Sequence, residues 1–543
     1  MLAALAFFAV SSNLYAHPGF TEKSVLLGRH KNGEKVYRKS IQISDDKQHI
    51  AYISESRDGR VRVWVDGIAG ESYLGVSTPV IAPVTNRVGY IAAKNGQGMF
   101  AVIDGRKGPI FKKADSLVFS PDGSRFAYRA MTMDGKVVAV IDNIPGPEFY
   151  NIKKKPGIIF SYDSAHFAYT AINMAGSQVM VKDHKQLTAC KEIASPVFSL
   201  DSKRFAYAAK SEKGWAVICD KKKGGYYKAV FDLTFSPDSR HLAYLGKRNA
   251  NIAVVKDGEE IESAKSAGML FFSPCSNIFG YLMKKNRAWH VVVNGEKGPA
   301  IARPDKVAFS DDCSHFAYSA QIGKDWVVIK DNIVIAKNFK KIRYIDFLSD
   351  NRSVIYVAVE KTGKQCVVVD DKKGPLYDSV GIPVENPGKK GTFAYVASKK
   401  GKGMTLVIDG KEQKPYRYIG IGVKAEGKTF SFAQQPFFSP DGKHVAYPVK
   451  DEKGRSFMVV DGKSQEYYEA VSEPVFSPDG KHIAYTARKN NGWIVVVDGM
   501  EGKEKFAGVI WGADIVFDSP SSFYVLVLKF PGPSFYKLQV TIH

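Results

Sequence analysis

The stretch PVFSPDGKHIAYTARKNNGWIVVVDGMEG, residues 474–502, decides the fold of this chain. Its SPDG segment, residues 477–480, predicts a turn because Pro fixes φ, Asp can bond its own backbone and Gly accepts a positive φ. The apolar residues before this turn predict a first short strand, and residues 482–488 and 493–497 predict a second and a third. Asp498-Gly499 predicts the next turn. The stretch therefore indicates an antiparallel meander of short strands.

This unit is repeated along almost the whole chain. An apolar residue, then Ala or Gly, then Tyr, or a close variant, recurs thirteen times, with steps of 37–41 residues and one longer step of 52. The repeat tyrosines are Tyr52, Tyr90, Tyr128, Tyr169, Tyr207, Tyr244, Tyr281, Tyr318, Tyr356, Tyr395, Tyr447, Tyr485 and Tyr524. A weaker fourth strand follows the third, as in YYEAV at 467–471. Because four short antiparallel strands in about 40 residues form one propeller blade, the predicted fold class is all-β with about thirteen four-stranded blades.

The best-preserved strings carry a resemblance to a known family. FSPDGKHIAY at 476–485 and FSPDGKHVAY at 438–447 resemble the WD-like propeller repeat of TolB-type proteins. The resemblance implies that the FSPDG strand is innermost in each blade and the weak fourth strand outermost. It implies no single function, because this repeat serves binding scaffolds, translocation proteins and the non-catalytic halves of peptidases.

Thirteen blades exceed the four to eight that usually close one ring, so two tandem β-propellers are expected. A seven-plus-six division places the first propeller at residues 17–303 and the second at 304–543. A six-plus-seven division would move the boundary to about Ser266. The long step of 52 residues contains an insertion near residues 420–435, which is expected to be a loop on a propeller rim.

The N-terminal segment predicts export and strand addition. Residues 1–16, MLAALAFFAVSSNLYA, have the short apolar run, polar region and terminal Ala of a signal peptide, which indicates a periplasmic or extracellular protein. The alternative is a misassigned start codon. No later segment has the ~20 uninterrupted apolar residues that a transmembrane helix needs. Residues 24–40 resemble the third and fourth strands of a blade without its first half, and are expected to complete another blade, with the last one, ending in SFYKLQVTI, as the candidate.

Two motifs that suggest ligands are interpreted as structural. GVKAEGKT at 422–429 matches the phosphate-binding GxxxxGK[ST] pattern, but no helix can follow it before the next FFSPDG, so no nucleotide and no cofactor is expected. Six histidines stand three residues before a repeat tyrosine, where other repeats have Arg, and Arg cannot ligate a metal. These histidines are His49, His166, His241, His315, His444 and His482. No metal site and no catalytic motif is therefore predicted.

The candidate binding residues are basic and aromatic. The chain has 77 Lys+Arg against 55 Asp+Glu, a net charge of +22, which favours anionic partners. Basic residues cluster in the loops between the second and third strands, and four tryptophans begin third strands at the same face. The basic set is Lys247, Arg248, Lys284, Lys285, Arg287, Lys399, Lys400, Lys402, Lys450, Lys453, Arg455, Arg488 and Lys489; the tryptophans are Trp215, Trp289, Trp326 and Trp493. Charged groups beside aromatics suit an anionic polymer, although lysines also solubilise hairpin tips while tryptophans pack.

Three functional hypotheses follow. The first is an exported, monomeric, non-enzymatic scaffold that binds a protein or an anionic cell-envelope polymer, with no nucleic acid as partner. The second is a polysaccharide-acting enzyme whose site lies in the central funnel of one propeller. The third is a cytosolic scaffold, which requires that residues 1–16 are not a signal peptide.

Overall fold

The computed structural model describes residues 13–16, 19–29, 34–94, 96–425, 428–432, 435–510, 512–529 and 534–543. Residues 1–12 of the predicted signal peptide lie outside the described residues, and Asn13–Ala16 form a strand. The only helix among the described residues is a single 3₁₀ turn, Arg38–Ser40. The chain is therefore all-β, as the sequence predicts.

Thirteen antiparallel sheets of four to six strands follow one another along the described chain, together with one two-stranded hairpin. In twelve of them, the first strand pairs with the second, the second with the third and the third with the fourth, as in a propeller blade. In several blades an irregularity divides the first strand into two short pieces. We number the blades 1 to 13 from the N-terminus, and their number confirms the repeat count.

Blades 1 to 7 belong to one compact unit, His30–Lys297, which we call the seven-blade unit. Its first strands are Lys35–Val36 with Gln42–Ile43, Gly75–Val76 with Val80–Ile81, Lys113–Phe119, Asn151–Ile152 with Ile159–Phe160, Glu192–Phe198, Ala229–Phe235 and Ser266–Phe272. Its second strands are Ile50–Glu55, Val88–Lys94, Phe126–Met131, Phe167–Ile172, Phe205–Ser211, Leu242–Lys247 and Phe279–Lys285. Its third strands are Val61–Val65, Gly98–Ile103, Val137–Ile141, Gln178–Lys182, Gly214–Cys219, Ile252–Lys256 and Ala288–Val293. Its fourth strands are Ile68–Ala69, Arg106–Lys107, Ile144–Pro145, Lys185–Cys190, Lys222–Lys223, Glu259–Ala264 and Glu296–Lys297.

Blades 8 to 13 belong to a second compact unit, Met1–Arg29 with Gly298–His543, which we call the six-blade unit. Its first strands are Arg303–Phe309, Lys341–Phe347, Ser379–Val380 with Val384–Glu385, Tyr418–Ile419 with Phe437–Phe438, Ala470–Val471 with Val475–Phe476, and Gly508–Val509 with Val516–Ser519. Its second strands are Phe316–Ile322, Val354–Val359, Phe393–Lys399, Val445–Lys450, Ile483–Lys489 and Ser522–Lys529. Its third strands are Asp325–Lys330, Gln365–Val369, Gly403–Ile408, Ser456–Val460, Gly492–Val497 and Ser534–Ile542. The fourth strands of blades 8 to 12 are Ile333–Phe339, Lys372–Lys373, Lys411–Glu412, Lys463–Ser464 and Met500–Glu501.

Blade 13 takes its fourth strand from the other end of the chain. Phe20–Arg29 pairs antiparallel with Ser534–Ile542, and Asn13–Ala16 pairs with the outer edge of that strand. This pairing confirms the predicted strand addition for the part of the segment that ends at Arg29. Lys35–Val36 instead begins blade 1, so the remainder of residues 24–40 belongs to another sheet.

A buried polar cluster fixes this N-terminal strand. Glu22 Oε2 accepts hydrogen bonds from the backbone N–H groups of Lys503 (2.8 Å) and Glu504 (3.0 Å). The Ser24 hydroxyl donates to Glu504 Oε2 (2.6 Å), and the Lys529 ammonium pairs with the same carboxylate. These contacts join residues about 480 positions apart in the sequence.

The insertion near residues 420–435 is a two-stranded hairpin, Ile421–Ala425 paired with Lys428–Phe432. It interrupts the first strand of blade 11 between Tyr418–Ile419 and Phe437–Phe438. Strand pairing resumes where the GxxxxGK[ST] pattern would require a helix, because Lys428 already lies in the second strand of the hairpin. The expected loop is therefore a hairpin, and the P-loop match has no structural counterpart.

The core consists of layers between successive blades. Second and third strands are buried along most of their length, because each sheet packs against two neighbours. One layer, for example, joins Ala139 and Ile141 of blade 3 to Tyr169 and Val181 of blade 4. The repeat tyrosines lie in these layers and are at most 5% exposed. Burial of one such side chain contributes ~2–3 kcal/mol, which explains why the repeat preserves a large aromatic residue there.

Candidate binding surface

The basic residues selected from the sequence lie at one edge of their blades. Each is at the end of a second strand or in the hairpin that leads to the third strand. We call this edge the hairpin edge, and the opposite edge, where the first-to-second and third-to-fourth connections lie, the turn edge. The seven-blade unit carries Lys247, Arg248, Lys284, Lys285 and Arg287, and the six-blade unit carries Lys399, Lys400, Lys402, Lys450, Lys453, Arg455, Arg488 and Lys489.

Three of these cations hold neighbouring blades together. Lys399 of blade 10 lies 5.1 Å from the ring centroid of Tyr377, a residue that bridges to the third strand of blade 9. Its ammonium is 2.5 Å from Glu412 of blade 10, and the Tyr377 hydroxyl donates to the same carboxylate (3.0 Å). This arrangement places a cation above a tyrosine of the preceding blade and beside a glutamate of its own blade. It recurs twice, with Arg248, Tyr227 and Glu260, and with Lys489, Tyr468 and Glu501. These side chains therefore serve blade packing.

Four further cations are also engaged locally. Arg455 pairs with Asp451 (2.7 Å) and lies 3.8 Å from the ring centroid of Tyr467. The other three contacts are Arg488 with Glu469 (3.3 Å), Lys285 with Glu262 (4.0 Å) and Lys284 above the ring of Trp289 (5.8 Å). Exposed pairs of this kind are individually weak, but each reduces the charge that the edge presents to a ligand.

The remaining cations are exposed and form no ion pair with the described residues. They are Lys247, Arg287, Lys400, Lys402, Lys450 and Lys453. Four of them stand on the hairpins of blades 10 and 11, whose sheets share one core layer. The structure thus brings Lys400, Lys402, Lys450 and Lys453 onto consecutive blades of the six-blade unit.

The four predicted tryptophans are half-buried. Trp326 packs against the layer between blades 8 and 9, and Trp493 against the layer between blades 12 and 13. Trp215 lies under the ammonium of Lys210 (5.7 Å from the ring centroid), as Trp289 lies under Lys284. Trp326 and Trp493 therefore combine core packing with partial exposure, whereas the ring contacts of Trp215 and Trp289 are with lysines.

The turn edge is organised by a different charge pair. His482 Nδ1 is 2.7 Å from Asp498 Oδ2, and Asp498 Oδ1 accepts the backbone N–H of Ile483 (2.9 Å). The aspartate thereby ties the start of the second strand to the third-to-fourth turn. All six repeat histidines pair in this way: His49 with Asp66, His166 with Asp183, His241 with Asp257, His315 with Asp331, His444 with Asp461 and His482 with Asp498. This geometry confirms the structural interpretation of the histidines.

Arginine performs the same role in three blades. Arg125 Nε donates to Asp142 Oδ2 (2.8 Å), and its Nη1 donates to the carbonyl of Ala165 in blade 4 (2.8 Å). Arg87 and Arg204 repeat both contacts. Beside these pairs, the Ser477 hydroxyl donates to Asp479 Oδ1 (2.7 Å), and this bond lowers the pKa of the Asp479 carboxyl. These contacts satisfy the paired His, Arg and Asp side chains of the turn edge.

Sequence reasoning missed a cleft between blades 12 and 13. Its polar lining includes Glu473, Thr486 and Asp514, which come from three strands or loops. None of the three stands in a repeat motif with a recognised ligand, so no sequence signal marks them.

The described residues contain no cluster of three or more His, Cys, Asp or Glu side chains suited to a metal ion. Within the same part of the chain, no helix has the length and apolar character needed to cross a membrane.

No family model matches this chain, and no curated protein matches it. Solved structures similar to it include a eukaryotic initiation factor, with 11% identity over 69% of this chain and 94% of that chain and a TM-score of 0.28. They also include the Dos1 propeller, with 13% identity, coverage of 61% and 88% and a TM-score of 0.24. A third is the β-propeller domain of the Trilobed protease from Pyrococcus furiosus, with 10% identity, coverage of 64% and 96% and a TM-score of 0.23. The blade assignment therefore rests on the strand pairing of this chain itself.

Proposed function

We propose that this protein is an exported, non-enzymatic binding protein made of two propeller rings of seven and six blades, with TolB-type repeats. The two compact units, which hold seven and six blade sheets, support this division. The addition of Phe20–Arg29 to blade 13 supports ring closure, because it completes a sheet from both ends of the chain. An experimental map with one continuous ring or an open solenoid would contradict the proposal.

Export has a direct test at the N-terminus. Cleavage after Ala16 would remove the Asn13–Ala16 strand and leave Phe20–Arg29 as the outer strand of blade 13. We expect intact-mass measurement of protein from the native host to show a chain that begins at His17. A chain that begins at Met1 would contradict export and favour the cytosolic alternative.

The proposed ligand is an anionic polymer of the cell envelope. The observation that carries this proposal is a group of four exposed lysines on consecutive hairpins whose ammonium groups form no ion pair with the described residues: Lys400, Lys402, Lys450 and Lys453. Four like charges on the hairpins of neighbouring blades raise the local positive potential, which attracts a polyanion. The paired cations of the same edge contribute less, because neighbouring carboxylates already neutralise them.

The test is binding of polygalacturonate, an acidic polysaccharide, measured over a range of salt concentrations. Replacing all four lysines with Gln should lower affinity by about tenfold at low salt and flatten the salt dependence, because exposed charges act over a Debye length of about 8–10 Å. The matched control replaces four exposed turn-edge lysines of the same unit with Gln: Lys372, Lys390, Lys411 and Lys463. Equal losses in both variants would mean that net charge alone attracts the polymer, and would overturn the site.

A further inference from the structure

A cleft of about 630 Å³ opens between blades 12 and 13 of the six-blade unit. Its walls are apolar and include Val471, Pro474, Trp493, Val509 and Ile515. This volume falls in the range of small-molecule sites, which are mostly apolar with a few polar groups that set orientation. The polar groups of the cleft therefore decide which ligand fits.

One of these polar groups is a buried hydroxyl without a partner. Thr486 lines the cleft, is 2% exposed, and its Oγ1 has no hydrogen-bond partner among the described residues. The nearby hydroxyl of Ser472 is engaged, since it accepts the Thr486 backbone N–H (2.9 Å) and donates to the Glu473 carbonyl (3.0 Å). An unsatisfied buried hydroxyl is costly, so a ligand group that bonds to Thr486 would gain affinity.

The other polar groups are two carboxylates. Glu473 and Asp514 both line the cleft, both are exposed to solvent, and neither forms an ion pair or a side-chain hydrogen bond with the described residues. Partial burial and the neighbouring charge of Asp514 raise the pKa of the Glu473 carboxyl. The two carboxylates thus add two negative charges to one cleft. A cation placed between them would remove their mutual repulsion.

We propose that this cleft binds an organic cation, a primary ammonium group on a short apolar stem that ends in a hydrogen-bonding group. The ammonium would lie between Glu473 and Asp514, the stem against Trp493 and the aliphatic walls, and the terminal polar group at Thr486 Oγ1. A metal ion fits less well, because two carboxylates in an apolar cleft supply too few oxygen ligands. This inference is independent of the proposed polyanion site, which lies on other blades.

The probe is 5-aminopentan-1-ol, with pentan-1-ol and 5-hydroxypentanoate as neutral and anionic comparisons, in calorimetric titrations of the full chain. The amine should bind at least about tenfold more tightly than either comparison compound, because charge-assisted contacts are the strongest available in the cleft. Glu473→Gln and Asp514→Asn should each lower its affinity by about fivefold to tenfold. Glu466→Gln, which changes an exposed carboxylate outside the cleft, should leave it unchanged. Equal binding of the three compounds, or unchanged affinity in both cleft variants, would overturn the proposal.

The role of the hydroxyl is tested with Thr486→Val, which has nearly the same shape. This variant should weaken binding of 5-aminopentan-1-ol but not of pentylamine, which lacks the terminal hydroxyl. Equal effects on both amines would exclude the Thr486 contact and overturn that part of the assignment. Thermal unfolding of each variant establishes that a loss of binding is not a loss of fold.

The same cationic chemistry occurs in free amines and in lysine side chains. To separate the two sources, we compare the binding of Nα-acetyl-lysine amide, which keeps a free ε-ammonium, with that of Nα-acetyl-norleucine amide, which has no charge. Tighter binding of the lysine compound than of 5-aminopentan-1-ol would assign a polypeptide ligand, and the reverse order would assign a small amine. If neither cation binds better than its uncharged counterpart, the inference is wrong.

Discussion

Blades 12 and 13 are neighbours, yet different kinds of contact hold the strands of each blade together. Blade 12 takes its strands from one continuous segment, and its His482–Asp498 pair joins residues only 16 positions apart. Blade 13 combines the last strands of the chain with Phe20–Arg29, and its polar cluster joins residues about 480 positions apart. The repeat sequence therefore supplies all the strands and the turn-edge pair of blade 12. Blade 13 also needs a strand and a polar cluster from outside the repeat.

The His482–Asp498 pair of blade 12 and the polar cluster of blade 13 also differ in their exposure to water. The His482 and Asp498 side chains are about 30% exposed, so solvent screens their interaction. Glu22 and Glu504 are at most 5% exposed. Burial raises the pKa of Glu22 to about 7 and lowers the pKa of Lys529 to about 8. Blade 13 should therefore be the pH-sensitive blade of the pair.

The largest effect is expected when the N-terminal strand loses its apolar anchor. Phe20 is fully buried in the layer between blades 12 and 13, so Phe20→Ala should lower the free energy of unfolding by ~4 kcal/mol. Urea unfolding followed by fluorescence measures this loss. Tyr150→Ala, at a residue that is 68% exposed, is the control and should cost less than ~1 kcal/mol. A smaller effect of Phe20→Ala than of the control would show that blade 13 is stable without its N-terminal strand.

An intermediate effect is expected from the buried carboxylate. Since the pKa of Glu22 is higher in the folded state than its ordinary value of 4.5, its contribution to stability is complete below about pH 4.5 and is lost as pH rises through 7. The loss amounts to ~3 kcal/mol. Glu22→Gln keeps an oxygen for the two backbone N–H groups and removes the titration, so its stability should vary less between pH 5 and pH 8. Parallel pH profiles of the wild type and Glu22→Gln in urea unfolding would contradict this assignment.

The smallest effect is expected at the turn edge of blade 12. His482→Ala removes one exposed partner of Asp498 and should cost ~1 kcal/mol. His482→Arg should be nearly neutral, because Arg87, Arg125 and Arg204 make the equivalent pair in other blades. Chemical unfolding of the two variants side by side tests this equivalence. A His482→Arg variant as unstable as His482→Ala would show that the position is specific to histidine in blade 12.

The blade pattern could be predicted because its causes are local. The SPDG turn, the alternating apolar strands and the repeat tyrosine all act within about 40 residues, and the spacing of Tyr447 and Tyr485 already fixes one blade. The sequence places the insertion correctly but predicts a loop. The pairing of Ile421–Ala425 with Lys428–Phe432 is not predicted, because no strong turn signal separates the two strands.

The basic surface could be predicted only as a set of positions. The sequence places Lys399 and Lys400 side by side. It does not show that Lys399 is paired with Glu412 and covers Tyr377, while the Lys400 ammonium forms no ion pair with the described residues. The carboxylate partners of Lys399, Arg248 and Lys489 lie 12 or 13 residues away, and the tyrosine under each of these cations belongs to the preceding blade. Charge counts therefore overestimate the number of cations available to a ligand.

The sequence by itself determined the class of fold, the number of blades and the edge of each blade on which the cations stand, because these follow from periodic, short-range rules. Only the tertiary structure decided which cations remain free, how Phe20–Arg29 completes blade 13, and that Glu473, Thr486 and Asp514 line one cleft. The physical reason is that these features depend on contacts between different blades. Packing brings such residues together although their separations in the sequence do not follow the repeat period.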